Sequence, residues 1–287
     1  GSLENHGYEL SIESDNLTGP FSWTTAFNIS FNRNKVLELG GEEYKEMAEG
    51  DGHLKTGSVR RLIVGEPVGV FYGYRFDGIF QNEEECKQQT SSAAPIGVGL
   101  RRYKDLNGDG KVDAVNDREI LGNANPKFFG GLTNTFAYKG FELNVFLQYS
   151  VGNKILNYNA MELETPTGGQ NAYADMVNRW TPENPSNIYP KATTNRNVLV
   201  SDRFIEDGSY LKLKTLSLSY SFPKVNIKHI QGLRIYVTGQ NLLTWTKYRG
   251  YDPEVSYRGA STLESGEDFG GYPQSRTFMF GVKLDIK

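Results

Sequence analysis

Phe141-Glu142-Leu143-Asn144-Val145-Phe146-Leu147-Gln148-Tyr149-Ser150-Val151 decides the fold class of this 287-residue chain. Phe141, Leu143, Val145, Leu147, Tyr149 and Val151 fall on one side of an extended strand. Glu142, Asn144, Gln148 and Ser150 fall on the other, interrupted by Phe146. A period of two marks a β-strand with unlike surroundings on its two sides. The pattern returns downstream. Leu216, Leu218, Tyr220 and Phe222 alternate with Thr215, Ser217, Ser219 and Ser221. Leu233, Ile235 and Val237 alternate with Arg234, Tyr236, Thr238 and Gln240, and Phe278, Phe280, Val282, Leu284 and Ile286 repeat the theme. Helical periodicity is nearly absent; the short candidates are 42–48 and 172–179.

The alternation and its turn residues give nine strands, at 7–14, 20–32, 57–64, 67–80, 128–138, 141–151, 209–222, 231–244 and 275–286. Several exceed the five or six residues usual in soluble sheets. They suit a tilted strand crossing a bilayer, which needs about 9–11 residues. The connections carry more information. Short ones at 15–19, 65–66, 139–140 and 223–230 alternate with long ones at 33–56, 81–127, 152–208 and 245–274. Repeated long connections are rare in compact soluble domains. An outer-membrane barrel, by contrast, has short periplasmic turns and long external loops. The expected fold is therefore all-β: an antiparallel transmembrane β-barrel portion whose last strand runs inward. A soluble β-sandwich is the alternative, but it supplies no cause for alternating loop length. Single-chain bacterial barrels have even strand counts. Nine strands thus imply an upstream neighbour for 7–14 and a larger barrel of which this is the C-terminal part.

Composition narrows the function. Lys and Arg number 31 against 34 Asp and Glu, a formal net charge of −3, which argues against a nucleic-acid partner. No run of 18 apolar residues exists, so no transmembrane helix is expected. That leaves a barrel open, because strands facing lipid on one side and water on the other average out polar. The single Cys86 excludes an internal disulfide, and Glu83, Glu84 and Glu85 beside it disfavour its thiolate. His6, His53 and His229 lack metal-ligand spacing, and no nucleophile elbow, P-loop or zinc-protease motif occurs, so no enzyme is read here.

An ordered set of short motifs carries a family resemblance. It comprises Gly7-Tyr8-Glu9-Leu10, Phe21-Ser22-Trp23, Gly69-Val70-Phe71-Tyr72-Gly73-Tyr74 and Asp77-Gly78-Ile79-Phe80. Asp105-Leu106-Asn107-Gly108-Asp109-Gly110, Gly122-Asn123-Ala124-Asn125-Pro126 and Asp207-Gly208-Ser209-Tyr210-Leu211-Lys212-Leu213 follow, then Gly239-Gln240-Asn241-Leu242 and Tyr251-Asp252-Pro253-Glu254. Together they resemble the C-terminal barrel region of SusC/RagA-family TonB-dependent outer-membrane transporters. The resemblance implies a 22-stranded barrel in the cell outer membrane that imports glycans, peptides or similar nutrients. It also implies a SusD-like surface lipoprotein as partner, and coupling to TonB through a plug and TonB box outside this sequence. The terminal aromatic usual for such barrels is missing from the alternation ending at Lys287. Without the resemblance, a soluble or cell-surface all-β binding module with a calcium-ordered loop is the second reading.

Three groups of candidate site residues emerge. Asp105, Asn107, Asp109, Lys111, Asp113 and Asp117 mark a calcium loop of EF-hand type, Lys111 contributing its backbone carbonyl. Position twelve is Asn116 rather than Glu, and clear flanking helices are absent, so any affinity would be weak, in the ~10⁻⁴–10⁻³ M range. The same residues equally form Asx turns. Trp180, Tyr173 and Tyr189 in the third long loop are candidate substrate or partner contacts, whereas Trp245 and Tyr248 follow a strand end and read as a membrane-interface girdle. Trp23, inside a strand, reads as lipid- or girdle-facing. Glu142, Asn144, Gln148, Thr238 and Gln240 are expected to face the lumen. Arg60-Arg61, beside the Gly65-Glu66 turn, is expected at periplasmic headgroups or in solvent, and Asp252-Pro253 as a turn.

Overall fold

The computed structural model describes the chain apart from residues 48–49, 51–52, 55, 166–170, 195–197, 226, 228, 256, 258, 260–262 and 287. Long strands build one antiparallel sheet: β1 (Ser2–Leu17), β2 (Phe21–Glu38), β3 (Phe128–Tyr138), β4 (Phe141–Val151), β5 (Tyr210–Ser221), β6 (Ile230–Thr246) and β7 (Thr277–Ile286). They lie in chain order, each beside its successor. Lys139 and Gly140 join β3 to β4 with φ of 46° and 88°. Two left-handed residues make the turn whose twist matches the flanking strands.

The register explains the alternation. Trp23 pairs with Phe136, Phe136 with Leu143, Leu143 with Leu218, Leu218 with Val237 and Val237 with Phe280. Directly opposed residues share a face, so these six form one apolar row across the sheet. Phe21, Tyr138, Phe141, Tyr220, Ile235 and Val282 form a parallel row nearer the short turns. Phe27, Leu132, Leu147, Leu213 and Leu243 form another nearer the long loops. Phe280 is 83% exposed and Val282 64%. An apolar band of this extent is stable only against an apolar surrounding, as on the lipid side of a membrane barrel. Trp23 belongs to this face, stacked on Phe136 at 5.7 Å.

The hydrophobic core lies elsewhere, in a layer made by the long loops. Val59, Phe71, Leu156, Tyr158, Met161, Val200 and Phe204 are buried together there. This corrects the expected strand count. Residues 57–64 and 67–80 do not join the large sheet. They hold short loop-layer strands, Arg61–Ile63, Val70–Gly73 and Phe76–Ile79, because Val59 and Phe71 fill this core and Tyr74 a second one with Tyr103, Val112 and Leu199. The sheet has seven strands rather than nine, and 33–56 and 81–127 are parts of one long connection, 39–127. Gly65-Glu66 is therefore a turn within the loop layer. Arg60 is buried rather than solvated or at headgroups. The helix expected at 42–48 is instead a short strand, Tyr44–Glu46, with Ala48 outside the described residues, and 172–179 contains a 3-10 helix, Ala174–Asn178. No helix among the described residues is long and apolar enough to cross a membrane.

Candidate functional site

Glu142, Asn144, Gln148, Thr238 and Gln240 share the face opposite the apolar rows. Asn144 opposes Ser217, which opposes Thr238; Glu142 opposes Ser219; Thr215 opposes Gln240; Gln148 opposes Lys212. Lys212 sits between Leu211 and Leu213 on β5, so the strand's period directs it to this face. There it is 1% exposed. A buried ammonium needs anionic partners, and the loop after β6 supplies them. Lys212 Nζ donates to Asp252 Oδ1 at 2.6 Å and to Glu254 Oε2 at 2.5 Å. Lys214 donates to the same Glu254 oxygen at 2.9 Å, and Tyr210 Oη to Glu254 Oε1 at 3.2 Å. The Asp252-Pro253 turn thus presents two carboxylates to the sheet and draws the loop 247–276 down over the polar face.

Burial opposes ionisation of Glu254, but Lys212 and Lys214 outweigh it and hold the carboxyl below its ordinary 4.5. A depressed folded value contributes stability that is complete above 4.5 and is lost as the pH falls through the lower folded value. Amide protection in 247–276 is therefore expected to hold at neutral pH and to drop in acid below about 4.5. Glu254→Gln should remove this acid step, which hydrogen exchange followed by mass spectrometry reads directly.

Two further ion clusters fix the loop layer. Arg60 Nε donates to Glu267 at 2.9 Å and its Nη1 to the Gly69 carbonyl at 3.0 Å, tying two loops far apart in sequence. Glu164, fully buried, accepts from Arg203 Nε at 3.0 Å and Arg249 Nη1 at 2.9 Å. Neither cluster has a sequence motif: Arg60 adjoins Arg61, Arg203 adjoins Asp202 and Glu267 adjoins Asp268, so nothing local singles out the charge that becomes paired.

The loop 105–117 folds as nested Asx turns. Asp105 Oδ1 accepts from Gly108 N and Oδ2 from Gly110 N, both at 2.7 Å. Asn107 Oδ1 accepts from Asp109 N, and Asp109 Oδ1 from Lys111 N. Asp113 caps Val115 and Asn116, and these N–H groups hold its carboxyl below the usual range. The buried Asp117 accepts from Leu106 N and Asp113 N, closing the loop. Among the described residues no group of three His, Cys, Asp or Glu side chains is arranged to hold a metal ion.

The candidate aromatics separate. The Trp180 indole donates to Gln81 Oε1 at 3.0 Å, its backbone pairs with Tyr189, and the Tyr189 hydroxyl donates to Asp175. Tyr173 packs against the loop core instead, where burial pushes its phenol up. Trp245 is half exposed on the apolar face, in line with Leu211. Tyr248 departs from the girdle expectation: it is buried and donates to Asp268. Burial, then Glu83 and Glu85, raise the Cys86 thiol, as the acidic run implied.

A sheet with one lipid-type face and one polar face roofed by long loops defines a wall segment of an outer-membrane-type β-barrel. Comparisons with known proteins extend this. The chain is 39% identical over 99% of its length to TonB-dependent receptor P3 of Formosa agariphila, and 28% identical over its whole length to TonB-dependent receptor SusC of Bacteroides thetaiotaomicron. It spans 29% and 27% of those relatives. The RagAB peptide importer in its open-open state superposes on 98% of the chain with a TM-score of 0.75 at 22% identity, the chain covering 28% of that structure, which establishes the shared fold. No protein-family model matches. The chain is therefore similar over its whole length to a segment of TonB-dependent receptors, SusC among them, and shares its β-barrel fold with part of the RagAB importer.

Proposed function

We propose that this chain forms part of the wall and external loop layer of a TonB-dependent nutrient importer in the cell outer membrane. The carrying observation is the two-faced sheet: apolar rows outward, a polar face held under the loop 247–276 by Lys212. In this reading the long loops point out of the cell and meet a SusD-like lipoprotein lid. The polar positions Glu142, Asn144, Gln148, Thr238 and Gln240 line the lumen. Coupling to TonB belongs to parts of the receptor beyond this segment. The relatives named as receptors and the structural neighbour named as a peptide importer support the reading, and the proposed cargo is a glycan, a peptide or a similar nutrient. Trp180 and Tyr189, paired through their backbones in one loop, are the proposed aromatic contacts for cargo or lid, with Tyr173 packed against the loop core.

An antibody to residues 152–208, applied to fractionated source cells, tests this. A heat-modifiable outer-membrane band well above the mass of this segment is expected. A soluble band of the segment's own mass overturns it and favours a binding module. Calcium in the 105–117 loop is a separate proposal, supported by oxygen side chains at calcium-loop spacing. Millimolar calcium should then slow proteolysis within 105–117 of the full receptor, and Asp109→Ala should abolish the effect.

A further inference from the structure

Where β2, β3 and β4 meet the long loops, just beyond the apolar band, lies an open cavity of about 410 Å³. Three of its lining residues are cations: Arg33, Lys127 and Lys154. Its other polar residues are Asn32, Asn34, Asn123 and Asn125, and among the described residues no Asp or Glu lines it. Arg33 and Lys127 are exposed. Arg33 Nη1 donates to the carbonyls of Asn32 and Lys127, both at 2.8 Å, which holds the guanidinium at the start of β3. Its Nε and Nη2 groups have no acceptor among the described residues, and there none of the three cations forms an ion pair. A neighbouring cavity between Tyr149 and Trp245 adds Lys247 and one acid, Asp207. Asp207 accepts from Ser209 N and Oγ and pairs with neither Lys154 nor Lys247, although both act on it through space. The two cavities thus set four cations, Arg33, Lys127, Lys154 and Lys247, against one carboxylate.

The side of the sheet on which Arg33 stands points to the ligand. Arg33 follows Phe31 by two residues on β2, so the strand's period sends both to the apolar side. The Phe31 ring lies 5.8 Å from Phe128, and Phe128 lies 6.2 Å from Tyr149. This aromatic row ends the apolar band, and cations beyond such a row stand at lipid-headgroup depth. We propose that Arg33, Lys127 and Lys154 seat the phosphate of one membrane lipid in the leaflet on the long-loop side, its acyl chains lying along the apolar face below Phe31 and Phe128. The free Nε–Nη2 edge of Arg33 is the fork that grips two phosphate oxygens, and Lys127 and Lys154 add point charges. A soluble anion would meet the same charges but gain nothing from the aromatic row. The seat rests on the membrane reading of the apolar band. Outer-membrane location without any lipid preference removes the seat and leaves that reading standing.

The test uses the purified full-length receptor in detergent. The probe is dioleoyl phosphatidic acid, and dioleoyl phosphatidylcholine, with the same chains and no net charge, is its counterpart. Native mass spectrometry reads the lipid retained. Each cation near an anionic lipid headgroup is worth about fivefold in binding, so phosphatidic acid should be retained about tenfold more than phosphatidylcholine. Arg33→Gln combined with Lys127→Gln should cut retained phosphatidic acid about tenfold. Lys139→Gln combined with Lys224→Gln, at the short-turn end, should leave it unchanged. Equal retention of the two lipids overturns the proposal. So does an Arg33→Gln/Lys127→Gln variant that retains phosphatidic acid like the parent, or an equal loss in the short-turn variant. Displacement of phosphatidic acid by equimolar inorganic phosphate overturns the assignment to a lipid. Arg33 and Lys127 are exposed, so their replacement leaves the core intact, and the comparison of lipids on the parent needs no variant.

Discussion

Lys212→Met in the full-length receptor is expected to cost about 3 kcal/mol of local stability and to lift the loop 247–276 off the polar face. Removing one partner of a buried ion pair typically costs roughly 3–5 kcal/mol, because the remaining charge stays desolvated and uncompensated. Here the lower end applies. Lys214 still holds Glu254, and the Asp252 and Glu254 side chains keep 11% and 22% exposure. Hydrogen exchange should show lost protection across 247–276 with β5 and β6 intact. Asp252→Asn added to Lys212→Met should restore part of it by removing the stranded charge. Unchanged protection in the single variant would mean that the ion cluster does not hold the loop.

Leu147→Arg carries the second large effect. Leu147 lies in the apolar row with Phe27, Leu132, Leu213 and Leu243, between the Leu143 row on the short-turn side and the line of Tyr149, Leu211 and Trp245 on the long-loop side. A guanidinium at the midplane of the lipid face costs about 2–4 kcal/mol. Asn144→Arg, three residues away on the same strand, points to the polar face and should be tolerated. Heat modifiability and outer-membrane yield separate the two: Leu147→Arg lowers both, Asn144→Arg neither. If both variants assembled equally well, the assignment of faces would fail.

The strands that were legible share one property. At 128–138 and 141–151 the alternation, bounded by Lys139-Gly140, gives the observed bounds residue for residue. A period of two is local, and a barrel strand keeps its surroundings constant along its length. Residues 57–64 and 67–80 misled for a related reason. Val59, Phe71 and Ile79 are at most 1% exposed, and a short apolar run in a loop core has the same composition as a strand. The Asp105–Asp117 loop was legible as a tight oxygen-rich turn because Asx capping joins residues two to five apart. Tyr248 was not legible, since adjacency to a strand end says nothing about whether the chain then turns to lipid or into the loop core.

By itself, the sequence determined that this is an all-β chain with an apolar and a polar side, short turns at one end and long loops at the other. Those features depend on near neighbours and on which of two sides a residue takes. Only the tertiary structure decided how the loops pack into a core, how Lys212 meets Asp252 and Glu254, and how Arg60 reaches Glu267. The first of those bonds spans 40 residues and the last 207. A buried charge finds its partner through the packing that removes both from water, and no local pattern records that distance.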